Sequence, residues 1–367
     1  MLYFDAHADT VLRSYDSGLD FVAGKGRAHI DLPRAKKVNL CTQVFVINAV
    51  RSQYPDKDLD ALAQDGIGRI CSWIEHSAGD MQLALTKHDI QMAFAEQSPG
   101  NDQQGIVPSH ERKLFVLLGL EGADPLLGQA QNLKKFHQLG VRNIIPAWDD
   151  NGFSGSSSGS GTGLTEEGQK LVGLCQELHM MLDVSHLSDT AFWQIMEISR
   201  QPFIASHSNC RALTNTHRNL SDEMIRSMAE KGGVMGINLY PGFLSQDYTD
   251  AWDAIANPAL EAAKTANEEE KNRLRLSAIQ QIRAIPLPGM EWVGKHAAHA
   301  VQVGGEDCVG LGGDLDGITV MPAGFTGIES YPLIIESLRS AGLNSNQIEK
   351  ICWKNMARVF EDVLASN

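Results

Sequence analysis

The sequence predicts an α/β fold, and within that class a (β/α)₈ barrel of the TIM type. Eight short apolar segments recur along the chain, and helix-patterned stretches lie between most of them. The apolar segments are continuous runs, as expected of parallel strands buried on both faces, and do not alternate with polar residues. Strand and helix alternating eight times is typical of a closed barrel. An open doubly wound sheet is the alternative, but no Gly-x-Gly-x-x-Gly follows the first strand.

The predicted elements follow in chain order. The candidate strands are Leu2–Ala6, Leu40–Ile47, Leu114–Leu120, Val141–Pro146, Met181–Val184, Phe203–Ala205, Gly233–Ile237 and Val309–Gly312. The candidate helices are Leu59–Ser77, Gly128–Leu139, Glu166–Leu178, Asp189–Ser199, Asp222–Lys231 and Trp292–Val303.

Two segments depart from this alternation. Residues 154–163 (SGSSSGSGTG) are of low complexity, and we expect a tolerated, flexible surface loop there more than a functional lid. Pro241–Met290 carries a charged helical run, Glu261–Arg283, and predicts an insertion at about 241–290 between the last two strands. No convincing linker interrupts the chain, so residues 1–367 are expected to form one catalytic barrel domain.

Composition excludes several classes of partner. The chain has 367 residues, with 31 Lys and Arg against 45 Asp and Glu, a formal net charge of −14. Nucleic acids and anionic membranes both require a basic surface, so neither is expected as a partner. No apolar run approaches the roughly 20 residues of a membrane span. The amino terminus lacks the pattern of a signal peptide. Six scattered cysteines without a Cys-x-x-Cys pair predict free thiols, and together these features predict a cytoplasmic protein.

Metal-binding side chains follow five of the predicted strands. They are His7 and Asp9, Glu121, His186, His207 and Asp314. Barrel enzymes place their catalytic groups at the carboxyl ends of the strands, and imidazole with carboxylate suits Zn²⁺, Mn²⁺ or Co²⁺. Each residue alone has an ordinary structural explanation: a core histidine for His186, a turn residue for Asp314. The coincidence across five strand ends predicts a metal site.

Such a site predicts hydrolysis. Two metal ions about 3.5–4 Å apart can share a water molecule and lower its pKa, which creates a nucleophile for an amide or ester carbonyl. A carboxylate that binds no metal can take the proton and return it to the leaving group. Asp314, after the last strand, is the candidate for this role.

With these residues in place, the sequence resembles the membrane (renal) dipeptidase family of zinc metallopeptidases, which has an amidohydrolase-type barrel. The matching blocks run in family order along nearly the whole chain. They are DAHADT at Asp5–Thr10, GLEG at Gly119–Gly122, GLTEEGQKLV at Gly163–Val172, MLDVSHLSD at Met181–Asp189, ASHSNCRALTNTHRNLSDE at Ala205–Glu223, GGVMGINLY at Gly232–Tyr240 and VGLGGDLDG at Val309–Gly317.

The resemblance implies a role for each matching position. His7 and Asp9 would bind one metal ion, His186 and His207 a second, and Glu121 would bridge the two. Asp314 would carry the proton, and Arg218 would bind the free carboxylate of the substrate through its guanidinium. The resemblance implies two divalent ions, with zinc expected, a homodimer, and hydrolysis of small dipeptides (L-Xaa-L-Xaa, or L-Xaa-D-Xaa) by a metal-bridging hydroxide.

One position departs from the family. Familiar members carry a histidine after the fourth strand, where this chain has Trp148. Loss of an oxyanion donor costs about 10²–10³ in rate. The indole N–H of Trp148 or the amide of Asn151 would supply the missing hydrogen bond, or the substrate has changed. Tyr240 and Asn238 are further candidates for the pocket wall.

Two alternatives stay open from the sequence. The first is another metal-barrel amidohydrolase that acts on an N-acyl amino acid, a lactone or a β-lactam, for which a substrate without a carboxylate would not depend on Arg218. The second is a metal-binding or regulatory protein without catalysis, against which Asp314 argues, because a binding protein needs no proton carrier.

Overall fold

The computed structural model describes residues 1–95 and 112–366. These residues form one sheet of nine parallel strands: β1 Tyr3–Ala8, β2 Leu40–Ile47, β3 Met81–Leu83, β4 Leu114–Glu121, β5 Val141–Ile145, β6 Met181–Leu182, β7 Ile204–Ser208, β8 Val234–Ile237 and β9 Val309–Leu311. The sheet order is β6-β5-β4-β2-β1-β9-β8-β7. A parallel bridge between Asp183 and Ile204 joins its two ends.

The predicted barrel is confirmed. The eight strands of this path correspond to the eight predicted strands, and each lies beside its neighbour in the chain, as the barrel requires. β3 was not predicted. It pairs with β4 beside the barrel path, and its three residues are too few to form a recognisable apolar run.

Helices surround the sheet. They are α1 Thr10–Ser17, α2 Leu32–Lys37, α3 Leu59–His76, α4 Lys87–Phe94, α5 Leu133–Gln138, α6 Glu166–Glu177, α7 Asp189–Ile198, α8 Asp222–Glu230, α9 Pro241–Leu244, α10 Gln246–Ala263, α11 Glu268–Ile282, α12 Glu291–Gly304, α13 Tyr331–Ser340, α14 Ser345–Glu349 and α15 Asn355–Val363.

Side-chain caps explain where several helices begin. Thr165, Ser188 and Ser221 precede α6, α7 and α8, and each side-chain oxygen accepts a hydrogen bond from a backbone N–H of the first turn. The helix predicted over Gly128–Leu139 is shorter in the structure. Gly128 has a left-handed φ of 72°, and a 3₁₀ turn at Ala130–Asn132 precedes α5.

Apolar side chains pack inside the barrel and between the sheet and its helices. Every residue of β2 and of β4 is buried, which accounts for their unbroken apolar sequences. This rigid layer holds the carboxyl ends of the strands, and the candidate site lies at those ends.

The Ser/Gly-rich segment 154–163 is not the loose loop that its composition predicts. The carboxylate of Asp150 accepts hydrogen bonds from the backbone N–H groups of Ser156 and Ser160, both at 2.7 Å. The N–H of Ser157 donates to the carbonyl of His186 at 2.7 Å. Ser154 and Ser156 are buried. The expectation of a flexible, tolerated loop is therefore wrong: the segment is hydrogen-bonded to the chain that carries a candidate ligand.

The predicted insertion contains α9, α10 and α11 and lies between β8 and α12. The charged run Glu261–Arg283 is not one continuous helix. α10 ends at Ala263, and α11 begins after Asn267, whose side chain accepts a hydrogen bond from the N–H of Glu270. α10 and α11 pack against each other.

The structure also describes the cysteines and the apolar character of the helices. All six cysteines are free thiols. Among the described helices, none combines the length and the apolar character needed to cross a bilayer.

Candidate active site

The candidate ligands converge because parallel strands present their carboxyl ends at one rim of the barrel. His7 lies near the end of β1 and Asp9 just beyond it, and Glu121 is the last residue of β4. His207 lies in β7, and His186 follows β6 by four residues. All five of these residues meet at this rim.

One oxygen of Glu121 stands at the centre. Its Oε1 lies 3.4 Å from Nε2 of His7, 2.9 Å from Nε2 of His186 and 3.5 Å from Nε2 of His207. Nε2 of His7 is also 3.4 Å from Oδ2 of Asp9, and Nε2 of His186 is 2.9 Å from Nε2 of His207. The candidate ligands therefore form two groups that share Glu121: His7 with Asp9, and His186 with His207.

These residues fit a divalent metal. In a tetrahedral site with bonds of about 2.0–2.1 Å, ligand atoms lie about 3.3–3.4 Å apart, close to the separations observed around Glu121. Nε2 of His7 is fully buried and has no hydrogen-bond partner among the described residues. A buried polar atom without a partner is costly, and a metal ion would supply that partner.

The electrostatics of the rim also favour a cation. Burial and the neighbouring Glu121 carboxylate raise the pKa of Asp9 well above its ordinary value. Burial lowers the pKa of His186 to about 4, and burial together with His7 lowers the pKa of His207 well below its ordinary value. Neutral imidazole is the form that binds metal. The carboxylates of Glu121 and Asp9 outweigh burial and raise the pKa of His7 well above its ordinary value, so a metal cation would take the place of that proton and relieve the crowding of carboxylates.

Asp314 lies beside these groups and follows β9 by three residues. Its Oδ2 accepts a hydrogen bond from Nδ2 of Asn238 at 3.0 Å. Burial raises the pKa of Asp314, against the opposing effect of His7. A Cβ atom on Gly317 would lie 2.1 Å from Oδ1 of Asp314 and 2.2 Å from Oδ2 of Asp9, so a side chain there would displace both carboxylates.

Left-handed backbone conformations cluster around the site. His186, Asp314 and Asp316 have φ values of 68°, 56° and 65°. Such values are uncommon for residues other than glycine and are held in place by the surrounding structure. Asp316 shows how: its carboxylate accepts hydrogen bonds from Oγ1 of Thr10 at 2.7 Å and from the N–H of His29 at 2.7 Å.

A cavity of about 400 Å³ opens onto the ligands, and Arg218 and Tyr240 line it. Arg218 is half-buried, with its Nη2 3.3 Å from the carbonyl of His207 and its guanidinium 5.3 Å from the ring centre of Phe243. Burial lowers the pKa of Arg218 and raises the pKa of Tyr240 to about 12. At neutral pH the cavity therefore presents a cation and a protonated phenol.

Trp148 and Asn151 differ in where they lie. Trp148 lines the cavity, with its ring centre 5.8 Å from that of His186. Asn151 lies outside the lining. Its Nδ2 donates to Asp124 at 2.9 Å and to the carbonyl of Pro146 at 3.0 Å, and its Oδ1 accepts from the N–H of Phe153. These bonds engage both ends of the Asn151 amide.

Sequence reasoning did not identify two residues that hold the site. Asn48 follows β2 directly, and its Nδ2 donates to Oε2 of Glu121 at 2.6 Å. Its place at the end of the second strand was the available signal. Asp5, within β1, accepts hydrogen bonds from the N–H groups of His7 at 2.9 Å and Gly313 at 2.8 Å. It thereby fixes the end of β1 to the end of β9, a link that only the folded barrel reveals.

Comparison with known proteins finds relatives over most of this chain. A protein from the pqqA 5′ region of Klebsiella pneumoniae is 29% identical over 317 residues, which are 84% of this chain and 98% of that protein. Human Dipeptidase 3 is 25% identical over 353 residues, or 91% of this chain and 64% of that protein. The crystal structure of a metallopeptidase named dipeptidase AC superimposes with a TM-score of 0.78, covers 99% of both chains and is 25% identical.

The family model described as membrane dipeptidase, peptidase family M19, matches residues 1–367. The ligands predicted from the sequence lie together at the rim of the barrel that this family model spans. The chain belongs to the membrane dipeptidase family.

Proposed function

We propose that this protein hydrolyses the peptide bond of small dipeptides, L-Xaa-L-Xaa and L-Xaa-D-Xaa, with two zinc ions bound at the rim of the barrel. The observation that carries the proposal is the position of Glu121 Oε1 within 3.5 Å of Nε2 of three histidines. A carboxylate shared by two groups of candidate ligands would serve both ions of a two-metal site.

His7 and Asp9 would hold one ion, His186 and His207 the other, and Glu121 both. When bound, such ions supply Lewis acidity, which lowers the pKa of water and polarises a carbonyl. Ligand chemistry supports zinc, because imidazole and carboxylate at these separations suit tetrahedral Zn²⁺. Asn48 holds Glu121 in place through the hydrogen bond to Oε2.

The protein's own residues account for binding and proton transfer. Arg218 faces the cavity and would hold the terminal carboxylate of the substrate, because a guanidinium binds a carboxylate with two parallel hydrogen bonds. Asp314 would accept a proton and deliver it to the leaving amine, and burial raises the pKa of its carboxyl above the ordinary value.

Three further residues would contribute to the substrate cavity in different ways. Trp148 and Tyr240 line the cavity and would contact the substrate, with the indole N–H and the phenol O–H as donors. Asn151 would shape the loop that carries Trp148, since its amide is already bonded to that loop and to Asp124.

The family match supports dipeptidase activity over the alternative of an N-acyl amino acid, lactone or β-lactam hydrolase. Three further parts of the proposal are a homodimer, a cytoplasmic location and a single catalytic domain with an insertion. Six free thiols support the location, because disulfides are rare in reducing compartments. Light scattering of the purified protein tests the dimer.

The decisive experiment compares dipeptides with their C-terminal amides. Protein reconstituted with Zn²⁺ should turn over free dipeptides, with about two ions bound per chain by mass spectrometry. Because the amide removes the carboxylate that Arg218 would bind, kcat/KM should fall by about 10–100-fold. Lack of turnover across the L-L and L-D panel, with both ions present, would disprove the proposed function.

Arg211→Ala is the matched control for the role proposed for Arg218. Arg211 lies in the same loop between β7 and α8, but its guanidinium is bound by the carboxylate of Asp189 at 2.6 and 2.8 Å. Substituting it should leave the preference for a free carboxylate unchanged. If Arg211→Ala lost the preference for a free carboxylate, the preference would not arise at Arg218.

A further inference from the structure

A single buried hydroxyl lies behind the two groups of metal ligands. Oγ of Ser206 is 2.8 Å from Nδ1 of His207 and 3.3 Å from Nδ1 of His7. Ser206 and His7 are fully buried and His207 is nearly so. The two imidazole rings lie side by side, with their centres 3.7 Å apart. Their Nε2 atoms face Glu121, and their Nδ1 atoms face the hydroxyl.

This orientation sets the direction of the hydrogen bonds. An imidazole that binds metal through Nε2 carries its proton on Nδ1 and donates it to a neighbouring acceptor. Here the acceptor for both rings is Ser206 Oγ, whose two lone pairs can receive both hydrogens. The proton of the hydroxyl itself must then be donated to a third group.

Asp183 lies beside Ser206 and holds its backbone. Its Oδ1 accepts from the N–H groups of Ser185 and Ser206, both at 3.0 Å, while Oδ2 is buried and has no partner among the described residues. A carboxylate oxygen of Asp183 lies within 4.8 Å of a ring nitrogen of His7 and of His207. Ser185 Oγ, 3.4 Å from Ser206 Oγ, is the acceptor within reach of the hydroxyl.

We propose that Ser206, supported by Asp183, is a positioning residue that orients His7 and His207 together and so controls the affinity of both metal sites. This inference rests on the proposed pair of metal ions. A metal-binding histidine is usually oriented by a hydrogen bond from its second ring nitrogen to a neighbouring acceptor. Here one hydroxyl connects a ligand of the first ion to a ligand of the second, so its loss should weaken both.

The test is titration of metal-free protein with Zn²⁺ against a chromophoric chelator, which gives a dissociation constant for each site. Ser206→Ala should weaken both sites by about 10–100-fold.

Ser185→Ala is the matched control, since it removes an equally buried hydroxyl that contacts no imidazole. Its metal affinity should fall less than that of Ser206→Ala, because both imidazoles keep the Ser206 oxygen as their acceptor. Thermal unfolding of each metal-free variant separates loss of metal affinity from loss of fold.

Wild-type affinity in Ser206→Ala would overturn the inference, as would weakening of one site alone. The outcome is separate from the proposed activity. If the wild-type protein binds two ions, and Ser206→Ala weakens both, but no dipeptide is cleaved, then the proposed function fails and the role of Ser206 stands.

Discussion

Replacing Asp314 with asparagine removes the proposed proton carrier and keeps its shape. The amide oxygen can still accept the hydrogen bond that Nδ2 of Asn238 makes to Oδ2 at 3.0 Å, so the loop should stay in place. Asp314 is only 8% exposed, and bulk water reaches it poorly. Loss of a positioned general acid or base costs about 10²–10⁴ in rate, or about 3–5 kcal/mol of transition-state stabilisation.

Steady-state kinetics on the best dipeptide, with metal content measured in parallel, test this expectation. kcat should fall by that factor, while KM and the number of bound ions stay close to wild type, because Asp314 is assigned to neither binding role. Asp316→Asn is the control within the same loop. It replaces one of the two oxygens that accept hydrogen bonds from Thr10 and His29, so it should lower thermal stability and reduce kcat far less. An Asp314→Asn enzyme with full metal content and more than about a tenth of wild-type kcat would refute the assignment.

Three further predictions concern binding, geometry and pH. Arg218→Lys should raise KM by about 10–100-fold, because an ammonium cannot make the paired hydrogen bonds of a guanidinium, and an unchanged KM in kinetic assays would contradict this. Gly317→Ala should lower kcat/KM by about 100-fold or more, because its Cβ would lie 2.1 Å from a carboxylate oxygen of Asp314. Gly173→Ala, which meets nothing within 4 Å, should not change activity. The free energy of unfolding should fall as the pH drops from about 6.5 to about 4. His296 should account for up to about 3 kcal/mol of this loss, because burial lowers its pKa to about 4 and the unfolded chain therefore takes up the proton at a higher pH. Urea unfolding of the wild type and of His296→Gln at both pH values measures this loss. An equal loss of stability in the two proteins would contradict the assignment to His296.

The hydrogen bonds of His296 explain the expected loss of stability in acid. Its Nδ1 accepts the N–H of Cys210 at 3.1 Å, and its Nε2 donates to the carbonyl of Leu244 at 3.0 Å. Protonation places a hydrogen on Nδ1, opposite the N–H of Cys210, and removes the acceptor. The contact between α12 and the end of β7 should therefore weaken in acid.

The barrel was predictable because its strands have a strong local signature. Leu114–Leu120 is apolar at every position or glycine, and buried parallel strands require that composition. β3 escaped prediction because three residues carry too little pattern, and its pairing with β4 is a tertiary contact.

The Ser/Gly-rich segment shows the limit of composition. Serine and glycine at residues 154–163 predict flexibility, yet Asp150 orders the segment through the N–H groups of Ser156 and Ser160. The Ser160 hydroxyl, together with the backbone N–H groups of Ser156 and Ser160, lowers the pKa of Asp150 to about 2. The sequence contains the aspartate, but the path of the loop brings it to those amides.

The sequence alone determined the fold class, the family resemblance and the set of candidate ligands, because continuous apolar runs and the residue types that follow them are local properties of the chain. The tertiary structure decided which atoms face one another. It turned Nε2 of three histidines toward one oxygen of Glu121, placed Asn48 and Asp5 behind the ligands, and set one serine hydroxyl between two imidazoles. These arrangements depend on residues up to hundreds of positions apart in the chain, and only closure of the barrel brings them within hydrogen-bonding distance.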